Sequence, residues 1–568
     1  MIRVFIVLAI FSQTALAFTE TYYVRDGNGS YGLENGTSWA NAFRGWGDVA
    51  FGTGASQVGP DDLLCVDGNI TSANTQSLTQ GGTAAVTPIT IAGSGFASCN
   101  DASDTGSGTF TLTIIASTAV LYITPTASYV TLRDITIAGA GTAPSGADGL
   151  RIGDRGVGQT GIQIGPNVLV TNISDDGVEL NSNTVGGVEI DCNPTFGQIG
   201  VSGCSYSLKV DTTRSDGISC RTPGVVARRF EVHNSGRNTS GNNDGLAGYD
   251  HATTSSDCFG FDGQYFWVEN HGGDPENVGS AAVDWQISEL PPVGLEYAYL
   301  RSGLITGSVR CLKDLSLDTL RTSGLILQAC APAYYLNFDG RIEYWNNTEY
   351  GSQIDFGQTS DGQTAPGTRT ATRKNSLFWA RDAWLNAPTF SPTPVRVRSG
   401  TSPTFNYTLD YNVYRTGTGL GRKDGTPCQA KLGSENACTL ATWKTLNIGF
   451  GSPWDTNSQE VASDPFVGPL PDVNQENTGT DLVDPTDANT GFRLSVGHAT
   501  RTAGTAPPSW VRDFCGNTYV DAGGGQYAVG AFEPSNADCS AWDNSANPAS
   551  PTTDKRSRGG TPATGGIW

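Results

Sequence analysis

The stretch DGLRI at 148–152 returns as DGVEL at 176–180, DGISC at 216–220 and DGLAG at 244–248. Each copy joins an Asp-Gly turn signal to a short alternating run, with Leu, Ile and Val at every second position. A second unit ends strands on small polar turns: FEVHNSG closing at Gly236, FWVENHG at Gly272, YLRSG at Gly303 and TLRTSG at Gly324. EYWNNTEYG and RKNSLFW continue it around Asn347 and Asn375. The spacings drift over roughly 21 to 40 residues, the range of solenoid coils that carry loops of different length. Strands this short cannot bury a face alone, so successive coils must stack and share ladder hydrogen bonds. The reading is an all-β chain folded as a right-handed parallel β-helix. A sandwich or propeller would need regular hairpin turns or a constant blade length, and the sequence has neither.

Composition agrees. Glycine occurs 73 times, methionine once, and 34 basic residues face 55 acidic ones for a net charge of −21. That balance argues against nucleic acid as a partner, because phosphate binding needs a concentrated basic surface. An anionic polymer would also be repelled at long range unless a basic groove or a bound cation compensated. Residues 1–17 read as a signal peptide: Met1, Ile2 and Arg3, an apolar run from Val4 to Phe11, then Ala15-Leu16-Ala17 as cleavage site. The expectation is export, secreted or at the cell surface, with no membrane insertion. The 12 cysteines suit an oxidising compartment. Pairing by nearest neighbour gives Cys65–Cys99, Cys192–Cys204, Cys220–Cys258, Cys311–Cys330, Cys428–Cys438 and Cys515–Cys539; no spacing resembles a zinc site.

The opening YYVRDGNGSYGLENGTSWANAF (22–43) resembles the N-terminal segment of secreted right-handed β-helix proteins of the pectate-lyase-like superfamily. LDYNVYR (409–415), ATWKTL (441–446), ASDPFV (462–467), FRLSVG (492–497) and YAVGAFE (527–533) are similar to the closing module that follows the helix in many of them. His498-Ala499-Thr500 stands where a small-Pro-Ala-Ile continuation is usual. The resemblance implies an N-terminal cap and first coils over 18–99, the parallel β-helix over 100–415 and the closing module over 416–539. Residues 540–568, rich in Pro, Ser, Thr and Gly with a KRSRGG patch, read as a disordered tail. The superfamily includes polysaccharide lyases, but the paired-Asp, basic and Arg-Pro motifs of its catalytic branches have no match here, so no catalytic residue carries over.

Candidate chemistry gathers between Asp216 and Asp284, which holds His233, His251 and His271 among several aspartates. A lyase removes the proton beside a uronate carboxylate, so it needs a base and a positive group to stabilise the enediolate. The candidate bases are His251, His233 and Lys209; a calcium ion held by Asp250, Asp257 and Asp262 would supply the charge. Arg228, Arg237, Tyr249, Trp267 and Trp285 are candidate substrate contacts, the rings as sugar platforms. FEVHN aligned with FWVEN puts His233 in the same strand-end slot as Glu269. The Asp-Gly aspartates Asp148, Asp176 and Asp216 read as turn residues. Two functions follow for the exported chain. One is a carbohydrate-active enzyme, a lyase on an acidic extracellular polysaccharide by β-elimination, or a glycoside hydrolase on the same fold. The other is a non-catalytic scaffold or adhesin that binds glycans.

Overall fold

The computed structural model describes residues 18–26, 29–72, 74–99, 110–114, 119–139, 146–154, 157–192, 204, 206–236, 243–249, 257–269, 281–287, 289–306, 311–314, 316, 318–328, 336–338, 341–351, 354–356, 369–380, 395–397, 405–422, 438–445, 454–467, 492–535 and 539. Within them the chain winds through twelve coils, each offering one strand segment to each of three faces. One coil runs Val130–Arg133, Ile135–Gly139 and Asp148–Ile152; the next runs Ile162–Ile164, Val168–Ile173 and Val178–Leu180. Every segment pairs in parallel with its counterpart one coil away, so the third face is an unbroken 12-stranded ladder. This is the expected right-handed parallel β-helix.

Stacking in register turns a modest sequence pattern into a continuous core. Leu121, Leu150, Val178, Ile218, Leu246, Val283 and Leu312 form one interior column of the third face. All are buried, and each contributes about 1.5–3 kcal/mol relative to exposure. In many of the described coils the corner between the first two faces holds a left-handed residue, among them Asp134, Arg229, Tyr265, Ser302, Asn346, Asn375 and Tyr411. Side-chain amides inside the corner carry the ladder onward: Asn347 Oδ1 accepts the Leu325 N–H at 2.8 Å and Asn412 Oδ1 the Ser376 N–H at 3.2 Å.

The glycine of each Asp-Gly unit serves a different end from the left-handed turn its sequence suggests. Gly149, Gly177, Gly217 and Gly245 are absent from the positive-φ positions. Space is what excludes a side chain: a Cβ at Gly177 would lie 2.4 Å from Val210 Cγ1 and 2.6 Å from the Gly217 carbonyl oxygen. The chain therefore turns tightly over the interior valines, and the preceding aspartate is fixed on the outside.

Both ends of the core are closed. Tyr22, Phe43, Trp46 and Val58 cover the first coil; Leu440, Trp443 and Trp454 plug the last. Beneath that plug the buried Arg373 donates to Glu349 (3.1 Å) and to the Tyr414 hydroxyl (3.1 Å). The closing module then returns along the flank. Phe466, Phe492, Leu494, Val511 and Phe514 pack on an outward row of the second face that includes Trp267, Leu304, Ile326 and Leu377. Asn346 and Asn375 side chains bond the Ala528 and Thr505 carbonyls across this seam.

The disulfides Cys65–Cys99, Cys192–Cys204, Cys220–Cys258 and Cys515–Cys539 form as the spacing suggested. Cys311 and Cys438 are also disulfide-bonded; Cys330 and Cys428, their expected partners, lie outside the described residues, as do the expected signal peptide and tail. Such bonds fit a non-cytoplasmic, oxidising setting. No described helix is long and apolar enough to cross a membrane.

Candidate functional site

On the outer side of the third face, register places Tyr122, Arg151, Glu179 and Ser219 in one row on successive coils. Beside the row, at the corner where that face begins, Asp148, Asp176, Asp216 and Asp244 stand one per coil. Each precedes its glycine, and the glycine amides hold the alignment: Gly149, Gly177 and Gly217 donate to the carbonyls of Asp176, Asp216 and Asp244 at 2.9, 2.8 and 2.8 Å. The side chains are fixed in the same way. Asp176 Oδ1 accepts the Asp216 N–H (3.1 Å), Asp216 Oδ1 the Asp244 N–H (2.6 Å) and Asp244 Oδ1 the Ala281 N–H (2.6 Å). One oxygen each of Asp176, Asp216 and Asp244 is thus tied to the next coil. Successive carboxyls rise by about 4.8 Å, the spacing of neighbouring strands.

Row and corner together line an open cleft of ≈490 Å³, with Asp148, Asp175, Asp176, Glu179 and Asp216 on its wall beside Arg151, Arg221 and Tyr249. Glu179 bridges the two guanidiniums, at 2.7 Å from Arg221 and 3.5 Å from Arg151. Arg151 also reaches Asp154 at 3.3 Å, and Tyr122 donates to the same carboxylate at 2.7 Å. Arg221 lies 5.3 Å from the Tyr249 ring centroid, and the Tyr249 hydroxyl donates to Asp244 at 2.8 Å.

Carboxyls this close cannot all ionise, and their surroundings sort them. Burial, then the charges of Glu179 and Asp176, push Asp148 up to about 10. Burial and the flanking Asp176 and Asp244 raise Asp216 well above the usual range. Burial and Asp175 bring Asp176 to about 6. Burial acts on Glu179 too, but the charges of Arg151 and Arg221 outweigh it and keep that group below the ordinary glutamate value. The cleft therefore sets Asp148, whose surroundings favour its proton, beside Glu179, whose surroundings favour its charge.

Of the candidate catalytic, substrate and metal residues that lie among the described residues, Tyr249 lines this cleft. His251, Arg237 and Asp250 lie outside the described residues, as does His271. Lys209, His233 and Trp267 do come together, but on the second face. His233 pairs with Glu269 in register, as the FEVHN and FWVEN alignment indicated. Its ring bonds Glu231 (3.0 Å) and Glu269 (3.2 Å), Lys209 reaches Glu231 at 3.3 Å, and Trp267 packs edge-on at 4.8 Å. Burial opposes a charge there, yet the two glutamates prevail and His233 rises to about 9. Both ring nitrogens are engaged by glutamates, so His233 serves the ion-pair cluster of the second face.

Trp285 is wholly buried in the solenoid interior, donating to Asp318 at 3.2 Å, so it packs the core and cannot meet a sugar. Arg228 pairs with Asp191 at 2.8 Å on the first face. Of the proposed calcium ligands, Asp250 lies outside the described residues, Asp257 is fully buried, and Asp262 is engaged by Arg301 and Gln264. Among the described residues no group of three His, Cys, Asp or Glu side chains is placed to hold a metal. The aspartates read as turn residues are the ones that build the cleft. The signal was in the repeats: aligned on Asp-Gly, they stack the four aspartates in one column and Arg151 beside Glu179 in the next.

No protein-family model matches the chain, and no curated protein matches it. Solved structures similar to it include pectate lyase Pel9A, at 13% identity over 91% of this chain and 97% of that one, with a TM-score of 0.37. A mutant of the PL6 family alginate lyase AlyGC is 12% identical over 70% of this chain and 54% of its own, with a TM-score of 0.30. The enzymatically active domain of tailspike protein 2 from bacteriophage CBA120 is 12% identical over 71% and 42%, with a TM-score of 0.26. The strand ladders by themselves define the class: an all-β, right-handed parallel β-helix protein.

Proposed function

We propose that this protein hydrolyses glycosidic bonds in the carboxyl-lined cleft of its third face. The observation that carries the reading is a column of carboxyls one coil apart along the cleft, with Asp148 beside a Glu179 that two arginines clamp; burial and acidic neighbours raise Asp148, and the arginines lower Glu179. Glycoside hydrolysis asks for that pair: an acid to protonate the departing oxygen and a carboxylate to activate water or attack the sugar. Asp148 is the acid. Its proton passes to the glycosidic oxygen as the C1–O bond breaks and the leaving sugar departs as an alcohol. Asp176, one coil step of about 4.8 Å away, is the carboxylate that attacks C1 as that bond breaks; water then displaces it from C1, giving its proton to the now ionised Asp148. Glu179, clamped by Arg151 and Arg221, stays ionised beside Asp148 and holds its proton in place.

The charge balance favours an uncharged glycan. Five acids and two arginines line the cleft, and the chain as a whole carries −21, which disfavours a polyanionic polymer. Elimination from a uronate would call for a neutral base and excess positive charge, and the described lining has its arginines already paired with Glu179.

The test is a panel of neutral and uronate polysaccharides followed for new reducing ends and for the ultraviolet absorbance of unsaturated products. Reducing ends without absorbance, lost in Asp148→Asn and Asp176→Asn, support hydrolysis. Absorbance on a uronate polymer that survives both substitutions would establish elimination elsewhere on the molecule. Silence throughout would favour the scaffold.

A further inference from the structure

A second cluster lies on a different face and takes no part in the cleft. On the outer side of the first face, Asp262, Tyr299, Arg321 and Glu343 stand in register on four successive coils, with Tyr297 at the start of its strand. The closing module brings Trp510 to the same place: its ring meets Tyr299 at 6.1 Å, and the Arg321 guanidinium is 5.2 Å from the indole. Arg321 is held firmly. It forks onto Glu343 at 3.0 and 3.3 Å, donates to the Tyr299 hydroxyl at 3.0 Å, and sits 3.3 Å from the Tyr297 ring centroid. A second guanidinium, Arg301, lies 4.9 Å from the Tyr299 ring and is itself fixed by Asp262.

We infer that this cluster is a second glycan-binding site, taking neutral pyranose units of a polysaccharide away from the cleft. Three aromatic rings are fixed around one anchored guanidinium, which suits the apolar faces of sugar rings at little entropic cost. Hydrogen-bonding capacity remains at the ring edges. The Arg321 bonds use three of the five guanidinium N–H groups. Glu343 keeps lone pairs and is 29% exposed, so a carboxylate and a planar donor are offered together to neighbouring hydroxyls. The cluster also stays open: Tyr297 is 37% exposed despite the guanidinium against it, and the segment leading into it exposes Leu290 and Val293 at 72% and 98%. A purely structural clamp for the closing module would be expected to bury its rings and its ion pair. The first-face position separates the site from the cleft, so one polymer could be held at one place while a segment of it is cut at the other.

This rests on the proposed function only for the class of ligand, and the experiment separates the two. Full-length protein carrying Asp148→Asn is run in native gels containing galactomannan, a β-1,3-glucan, arabinoxylan or polygalacturonate. At least one neutral polymer is expected to retard it. Adding Trp510→Ala with Tyr297→Ser should weaken that retardation about tenfold, while Trp510→Phe should keep most of it. Tyr297→Ser alone, at an exposed strand start, gives the same direction if loss of Trp510 loosens the closing module. Retardation equal in parent and Tyr297→Ser variants, retardation by polygalacturonate alone, or none by any neutral polymer would each overturn the site. A neutral polymer bound here but never cleaved by the unsubstituted protein would keep this site and remove the hydrolase reading.

Discussion

Asp148→Asn should make the protein more stable at neutral pH while removing its activity. In the unfolded chain this carboxyl titrates near 3.9; in the fold, burial and its acidic neighbours hold the proton up to about 10. Between those values the native state binds a proton that the unfolded state has released, so stability falls as pH rises. At pH 7 the gap is about 3 pH units, worth at most about 4 kcal/mol. Asparagine has no proton to lose and escapes this penalty. Below pH 4 both states of the parent are protonated, and the two proteins should unfold alike. Urea unfolding followed by tryptophan fluorescence at pH 4, 5.5 and 7 reads the difference directly. The advantage of the variant should be close to zero at pH 4 and grow at each step. A difference that stays flat with pH, or a parent that is the more stable at pH 7, would show that Asp148 is ionised in the fold and cannot be the acid.

Hydrolysis should fall on acidification through about pH 6, where Asp176 takes up its proton; a profile of kcat/KM against pH that stays level from 7 to 5 would remove Asp176 from the role of attacking carboxylate. Breaking the buried Arg373–Glu349 pair with Glu349→Gln leaves a guanidinium uncompensated and should cost about 3–5 kcal/mol. Replacing both partners with apolar residues should recover much of that loss in the same denaturation assay. Gly177→Ala drives a Cβ against backbone at 2.6 Å, so a loss of about 1–3 kcal/mol is expected from overpacking, together with weakened activity as Asp176 shifts; thermal melting and reducing-end assays check the two parts.

The solenoid was legible because its evidence is repeated. Asp-Gly followed by Leu-Arg-Ile, Val-Glu-Leu, Ile-Ser-Cys and Leu-Ala-Gly fixes both the interior column and the corner, and resemblance at the two ends agreed. The corner between the first two faces was less visible, since Asp134, Arg229, Tyr265, Ser302 and Tyr411 share a left-handed backbone but no side-chain chemistry. Their conformation is imposed by the coil on each side rather than by local preference. The return of the closing module over Trp267 and Leu304 was also hidden, because an outward apolar row on a strand reads the same whether or not another segment covers it.

The cleft of the third face escaped the sequence reading for a related reason. Histidines draw attention because their chemistry is rare in a sequence with four of them, yet His233 spends its proton holding Glu231 and Glu269. Aspartates at Asp-Gly turns are ordinary one at a time. What distinguishes them is the stacking of four in one column, where burial and neighbouring acids raise Asp148 and Asp216 while two arginines lower Glu179.

The most direct test is the release of reducing ends from neutral polysaccharides by the unsubstituted protein and by Asp148→Asn, at pH 7 and matched concentration. The account predicts release by the first and its loss, by about a hundredfold or more, in the second. Equal release by both, or release from no neutral polysaccharide at all, would contradict it.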